Sequence, residues 1–151
     1  TPKNNWNMEI RSINFQFLIF NFQTILNDSI LQCMNYNLED RTKLFSKNII
    51  GLLKKVKKDM INQNIIGQLI RSATSVGANY CEANGASSKN DFRNKIFICR
   101  KEIQETKYWL EMLLEVNPDL KKEISILFKE AHELTLIFNK ISTTLSLKIA
   151  H

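Results

Sequence analysis

From about residue 38 to about residue 147 the apolar residues of this chain return every three or four positions, and almost nothing interrupts them. That period is the signature of a helix with one buried stripe. Only four glycines and two prolines occur in 151 residues. A sheet protein needs turn residues about every eight to twelve positions, so long helices with short links account for the scarcity better.

Four helices are expected. The first runs from about 39 to 58, with Phe45, Ile49, Leu52 and Val56 on one stripe. The second starts near Asn62 and reaches about Asn84, its apolar face traced by Ile66, Leu69, Ile70, Ala73, Val76, Gly77 and Tyr80, with Gly85 to stop it. Ser88-Lys89-Asn90-Asp91 places a hydroxyl three residues before a carboxylate, a helix start in which each can satisfy a free backbone N–H. The third helix follows through Phe92, Ile96, Cys99, Ile103, Leu110 and Leu113. Asn117-Pro118 ends it and opens a fourth, with Asn117 as cap and Pro118 in the first turn, running to about Leu147. Short links make neighbours antiparallel, so the expected class is all-α, an up-down-up-down four-helix bundle over residues 38–151. Doubled apolar positions, Leu52 with Leu53, Trp109 with Leu110 and Ile137 with Phe138, widen some stripes and suggest self-association.

Residues 1–37 read as an N-terminal extension, rich in Asn and Gln, either an appended helix or a poorly ordered tail. Its apolar run from Ile13 to Leu26 is broken by Asn14, Gln16, Asn21 and Gln23 and falls short of the roughly 20 apolar residues a membrane span requires. No small-residue cleavage site follows, and Met34 is a candidate start for the domain. The three cysteines, Cys33, Cys81 and Cys99, form no ligand-spaced pair, which fits a reducing, cytoplasmic setting better than a disulfide framework. The formal charge of +6 favours an anionic partner.

Catalytic chemistry finds little to stand on. Gly51, Gly67, Gly77 and Gly85 never assemble into a phosphate-binding loop. His132 is the one internal imidazole and falls on a polar helix side, while His151 ends the chain. The sharpest enzyme reading is a carboxylate-bridged metal site built from Glu82, Glu102 and Glu105, but the ExxH pairs that complete such sites are missing. Pairing of Glu102 and Glu105 with Arg71 is the simpler expectation. No catalytic residue, metal, cofactor or small-molecule substrate is therefore assigned. Basic residues carry the better signal: Lys54, Lys55, Lys57 and Lys58 form a run at the end of the first helix, and Arg93, Arg100 and Lys107 share one side of the third. A solvated face would look similar. Tyr108-Trp109 reads as a packing pair, and the small residues Gly67, Thr74, Ala78 and Cys81 permit close helix approach within the chain or between copies.

The stretch from Gln68 to Ala83, QLIRSATSVGANYCEA, resembles the signature of the bacterial four helix bundle protein family, which includes the 23S rRNA-intervening sequence proteins. Leu38-Glu39-Asp40-Arg41-Thr42, Ser88-Lys89-Asn90-Asp91-Phe92, Cys99-Arg100-Lys101-Glu102 and Glu105-Thr106-Lys107-Tyr108-Trp109-Leu110 extend the likeness. The resemblance implies an antiparallel bundle without established enzymatic activity. Through a relative, the accessory variability protein of diversity-generating retroelements, it also implies a homopentamer with a basic surface for RNA, a ribonucleoprotein or a reverse transcriptase. Arg71, Ser75, Asn79, Glu82, Glu102 and Glu105 match the family's recurring polar positions and, with Tyr108 and Trp109, are candidates for bundle or subunit contacts. The expected function is thus non-enzymatic RNA binding by a homo-oligomer. A protein–protein assembly module is the alternative, and a carboxylate metal protein a distant third.

Overall fold

A computed structural model of the chain describes residues 38–147. The N-terminal extension, including the Ile13–Leu26 run, Cys33 and Met34, and the terminal His151 lie outside the described residues. Four helices follow one another: α1 (Leu38–Leu53), α2 (Met60–Asn84), α3 (Lys89–Val116) and α4 (Lys121–Leu147), the last preceded by a 3₁₀ turn, Pro118–Leu120. Among the described residues there is no strand, and no helix is long and apolar enough to cross a membrane. The all-α bundle is as the periodicity requires.

Each helix packs against its neighbours in sequence, and α4 closes back onto α1, so α1 and α3 stand diagonally across the bundle. Its centre is filled by Phe45, Leu69, Phe92, Ile103, Leu134 and Phe138, all fully buried. Tyr80 meets Phe138 edge to face at 5.9 Å across the core.

Polar contacts fix the register of three of the four seams. Between α1 and α2, Ser46 Oγ sits between the carbonyl oxygens of Thr42 and Ala73 at 3.0 and 3.1 Å. Gly77 lies against the same spot, where a Cβ would meet Ser46 Oγ and the Thr42 carbonyl at 3.5 Å. The α1–α4 seam is held by Arg41, whose guanidinium donates to both carboxylate oxygens of Glu130 at 2.7 and 3.0 Å. Thr106 Oγ1 lies 3.0 Å from Ser72 Oγ in the α2–α3 seam, and the Cys99 thiol points to the Val76 carbonyl at 3.5 Å.

Helix starts follow their caps. Asp59 adopts an extended backbone and accepts from Asn62 N at 2.9 Å, so α2 begins at Met60, two residues before Asn62. Ser88 Oγ accepts from Asp91 N at 3.1 Å, and the Asp91 carboxylate answers by accepting from Ser87 N at 3.3 Å. Three expectations need correction. α1 stops at Leu53 and not near Lys58, because the chain tightens into i to i+3 turns at Lys55 and Val56 and must reverse to present Asp59 as a cap. Val56 continues the apolar period only because the link tucks it into the core. Asn117 makes no side-chain N-cap. It closes α3 instead, donating its backbone N–H to the Leu113 carbonyl at 2.9 Å and its Nδ2 to Asn62 Oδ1 at 2.8 Å. On α2 the buried residue is Ile65, whereas Ile66 is half-buried and Ile70 is 37% exposed.

Candidate nucleic-acid interface

α3 carries two rows of charge on opposite flanks of its solvent side, and the bundle treats them differently. One row faces α2 and is neutralised there. Lys95 pairs with Glu82, and Arg71 of α2 pairs with Glu105 and stands 3.5 Å from Glu102. The Glu82 carboxylate holds the Lys95 ammonium above the ordinary lysine range. Glu102 is almost buried, 8% exposed, and its oxygen nearest Arg71 has the charge contact without a hydrogen bond. Trp109 Nε1 donates to Glu105 at 3.3 Å, and Tyr108 leans edge-on against Trp109 at 5.0 Å while itself 53% exposed. Asn79 Nδ2 donates to the Ser75 carbonyl at 2.9 Å within α2, beside this seam. Glu82, Glu102 and Glu105 are thus set against cations and not gathered around a common point. Among the described residues no group of three or more His, Cys, Asp and Glu side chains converges as metal ligands would.

The second row is Arg93, Arg100 and Lys107. Successive members are seven residues apart, nearly two turns, so their Cα atoms stand about 10 Å apart along the helix. Among the described residues none of the three has a carboxylate within ion-pair distance. Aromatic rings hold them instead. Arg93 Cζ and Arg100 Cζ lie 6.0 and 5.9 Å from the centre of the Phe97 ring, and Lys107 Nζ lies 5.4 Å from that of Phe128 on α4. Phe97, four residues after Arg93 and three before Arg100, is the part of this surface that sequence reasoning left unassigned. Its signal was that i+4 and i−3 spacing.

The lysine run is placed elsewhere. Lys54, Lys55, Lys57 and Lys58 follow α1 in the link to α2 and not on α1 itself. Lys55 is engaged by Glu123 of α4 at 3.3 Å. Glu123 is held below the usual carboxylate range by a backbone N–H in the first turn of α4 and then by Lys55. His132 is exposed on α4. Cys81 is exposed with its thiol 3.7 Å from Glu39, whereas Cys99 is enclosed and its thiol is pushed up to about 12 by burial, which leaves it a core residue and no nucleophile. The doubled positions Leu53 and Ile137 are buried, so they leave no wide open stripe. Apolar exposure falls instead at Met60 and Ile61 at the start of α2 and, among others, at Leu44, Ile70, Phe97, Ile126 and Leu136.

The family model for 23S rRNA-intervening sequence protein matches residues 35–140, most of the chain and all of the seams just described. The chain belongs to this family. Among solved structures it is similar to a protein of unknown function from the S23 ribosomal protein family of Bacteroides thetaiotaomicron VPI-5482, with 31% identity and a TM-score of 0.61 over 69% of this chain and 96% of that one. No curated protein matches it. Neither the 23S rRNA-intervening sequence protein description nor the S23 neighbour names a reaction.

Proposed function

We propose that this member of the family is a non-enzymatic, self-associating bundle of the cytoplasm that binds RNA through the Arg93–Arg100–Lys107 face of α3. The observation that carries the reading is the inequality of the two α3 rows. The bundle neutralises the row that faces α2, whereas no carboxylate among the described residues pairs with this one. An unneutralised row of three cations gains affinity for phosphates by counterion release. The net charge of +6 and the family's tie to ribosomal RNA sequences support the same choice of anion. Lys54, Lys57 and Lys58, exposed in the link after α1, form a second basic patch available to a long RNA or a ribonucleoprotein.

Arg93→Glu/Arg100→Glu/Lys107→Glu tests the reading. RNA affinity measured across a salt series should fall, and the slope of log K against log salt should shrink by roughly 2, the contribution of three phosphate contacts on a single strand. An unchanged slope and affinity would leave the protein–protein assembly module as the better account.

Self-association has its own support. Gly67, Ile70, Thr74, Ala78 and Cys81 succeed one another along the solvent side of α2, giving a shallow stripe of mostly small side chains bordered by Arg71. Five copies is the number the family resemblance suggests.

A further inference from the structure

Alongside the cation row, α3 carries an aromatic one. Phe97 and Tyr108 are eleven residues apart, a separation of about 16 Å that turns the helix by only about 20° beyond three full turns, so the two rings share a stripe. Gln104 lies exposed between them on the same side. The aromatic stripe and the row of Arg93, Arg100 and Lys107 therefore run parallel along one helix, and both rings reach solvent, Phe97 at 39% and Tyr108 at 53%. By contrast Phe45, Phe92 and Phe138 are fully buried.

We propose that this surface binds an unpaired stretch of RNA, with phosphates along the Arg93–Arg100–Lys107 row and bases against Phe97 and Tyr108. The proposal rests on the RNA reading above and narrows its substrate. In a duplex the bases are stacked inside and the strand presents phosphate and sugar outward, which would set the electron-rich face of Phe97 against anions. An unpaired strand presents phosphates on one edge and free base faces on the other, matching two parallel rows. The guanidiniums of Arg93 and Arg100 stand over the Phe97 ring, each about 6 Å from its centre, so a base that stacks there takes the place of a guanidinium and releases it toward the adjoining phosphate. Among the described residues no carboxylate has to be displaced first.

The test uses the full chain and two probes: a fluorescein-labelled RNA of about 15 nucleotides with no self-complementarity, and the same strand in a blunt duplex. Anisotropy titrations at several salt concentrations compare the unaltered protein with Phe97→Leu, which keeps an apolar side chain but removes the π face, and with Phe97→Tyr, which restores it. The expected result is preference for the unpaired strand, a five- to tenfold loss with Phe97→Leu, recovery with Phe97→Tyr, and an unchanged salt slope in both, since the phosphate contacts remain. Equal binding of strand and duplex with no effect of Phe97→Leu overturns this inference and leaves RNA binding standing. Failure to bind either probe overturns the RNA reading itself. If Phe97→Leu instead alters the mass seen by light scattering, the ring belongs to a contact between copies and the inference falls.

Discussion

Glu39, in the first turn of α1, ties that helix to the end of α2. Its carboxylate accepts from Lys43 Nζ at 2.6 Å and from Asn84 Nδ2 at 2.8 Å, with the Cys81 thiol at 3.7 Å. Lys43 first and Asn84 second hold the carboxyl below its ordinary value of 4.5, outweighing the opposing effect of burial. A carboxylate depressed in the folded state contributes stability that is present above the unfolded value and is lost as pH falls through the folded one. Glu39→Gln should therefore lower stability near pH 7 by a small amount, with the difference between the two proteins closing as pH falls below 4.5 and part of the acid slope removed. A variant whose acid limb is as steep as that of the unaltered chain would show that Glu39 is not a titrating tie. The partly exposed setting of the pair keeps the expected effect small.

At the scale of the helices, the asparagine pair across the α2–α3 end holds more than either turn signal suggests. Asn117 is buried, and its Nδ2 is shared between Asn62 Oδ1 and the Leu113 carbonyl at 2.8 and 3.1 Å, while Asn62 Nδ2 donates to the Asp59 carboxylate at 3.0 Å. Asn117→Leu leaves Asn62 Oδ1 buried without a donor, which should cost about 1–3 kcal/mol in urea unfolding. Combining it with Asn62→Leu should recover part of that loss, because an apolar pair needs no donor. What was legible in the sequence follows from the range of the interaction. The Ser88 cap was readable because it depends on a spacing of three residues at one helix start, whereas the Arg71 pairing, 34 residues from Glu105, was named as the simplest partner for two carboxylates three residues apart on one helix. The role of Asn117 was not readable, since its partner Asn62 lies 55 residues away. Val56 and Ile70 misled for a related reason: the apolar period reports a tendency to be buried, and whether a helix or a link supplies the burial, or whether it is supplied at all, is decided by neighbours. Phe97 was hidden because an aromatic held by flanking arginines reads like any other apolar residue on a helix rich in them.

For the whole molecule, the two surfaces left unpartnered make separable demands. The basic and aromatic rows sit on α3, and the stripe of Gly67, Ile70, Thr74 and Ala78 sits on the solvent side of α2. A charge row disfavours burial against a second copy of itself, whereas a stripe rich in small residues permits a close helix approach. If α2 supplies the contact between copies, Ala78→Arg should place an unpaired charge at its centre and convert the assembly to monomers by light scattering. Its circular dichroism should be unchanged, because Ala78 is exposed and outside the core. The charge reversals at Arg93, Arg100 and Lys107 should leave the mass as it was while weakening RNA binding. The opposite pattern, monomers from the α3 reversals and none from Ala78→Arg, would assign the α3 face to self-association and remove it from RNA binding. RNA binding by the Ala78→Arg monomer then reports whether the site is complete within one copy. The three cations and two rings all lie on one helix of one chain, so each monomer should keep its own contact with an unpaired strand and lose only the affinity gained from several sites acting together.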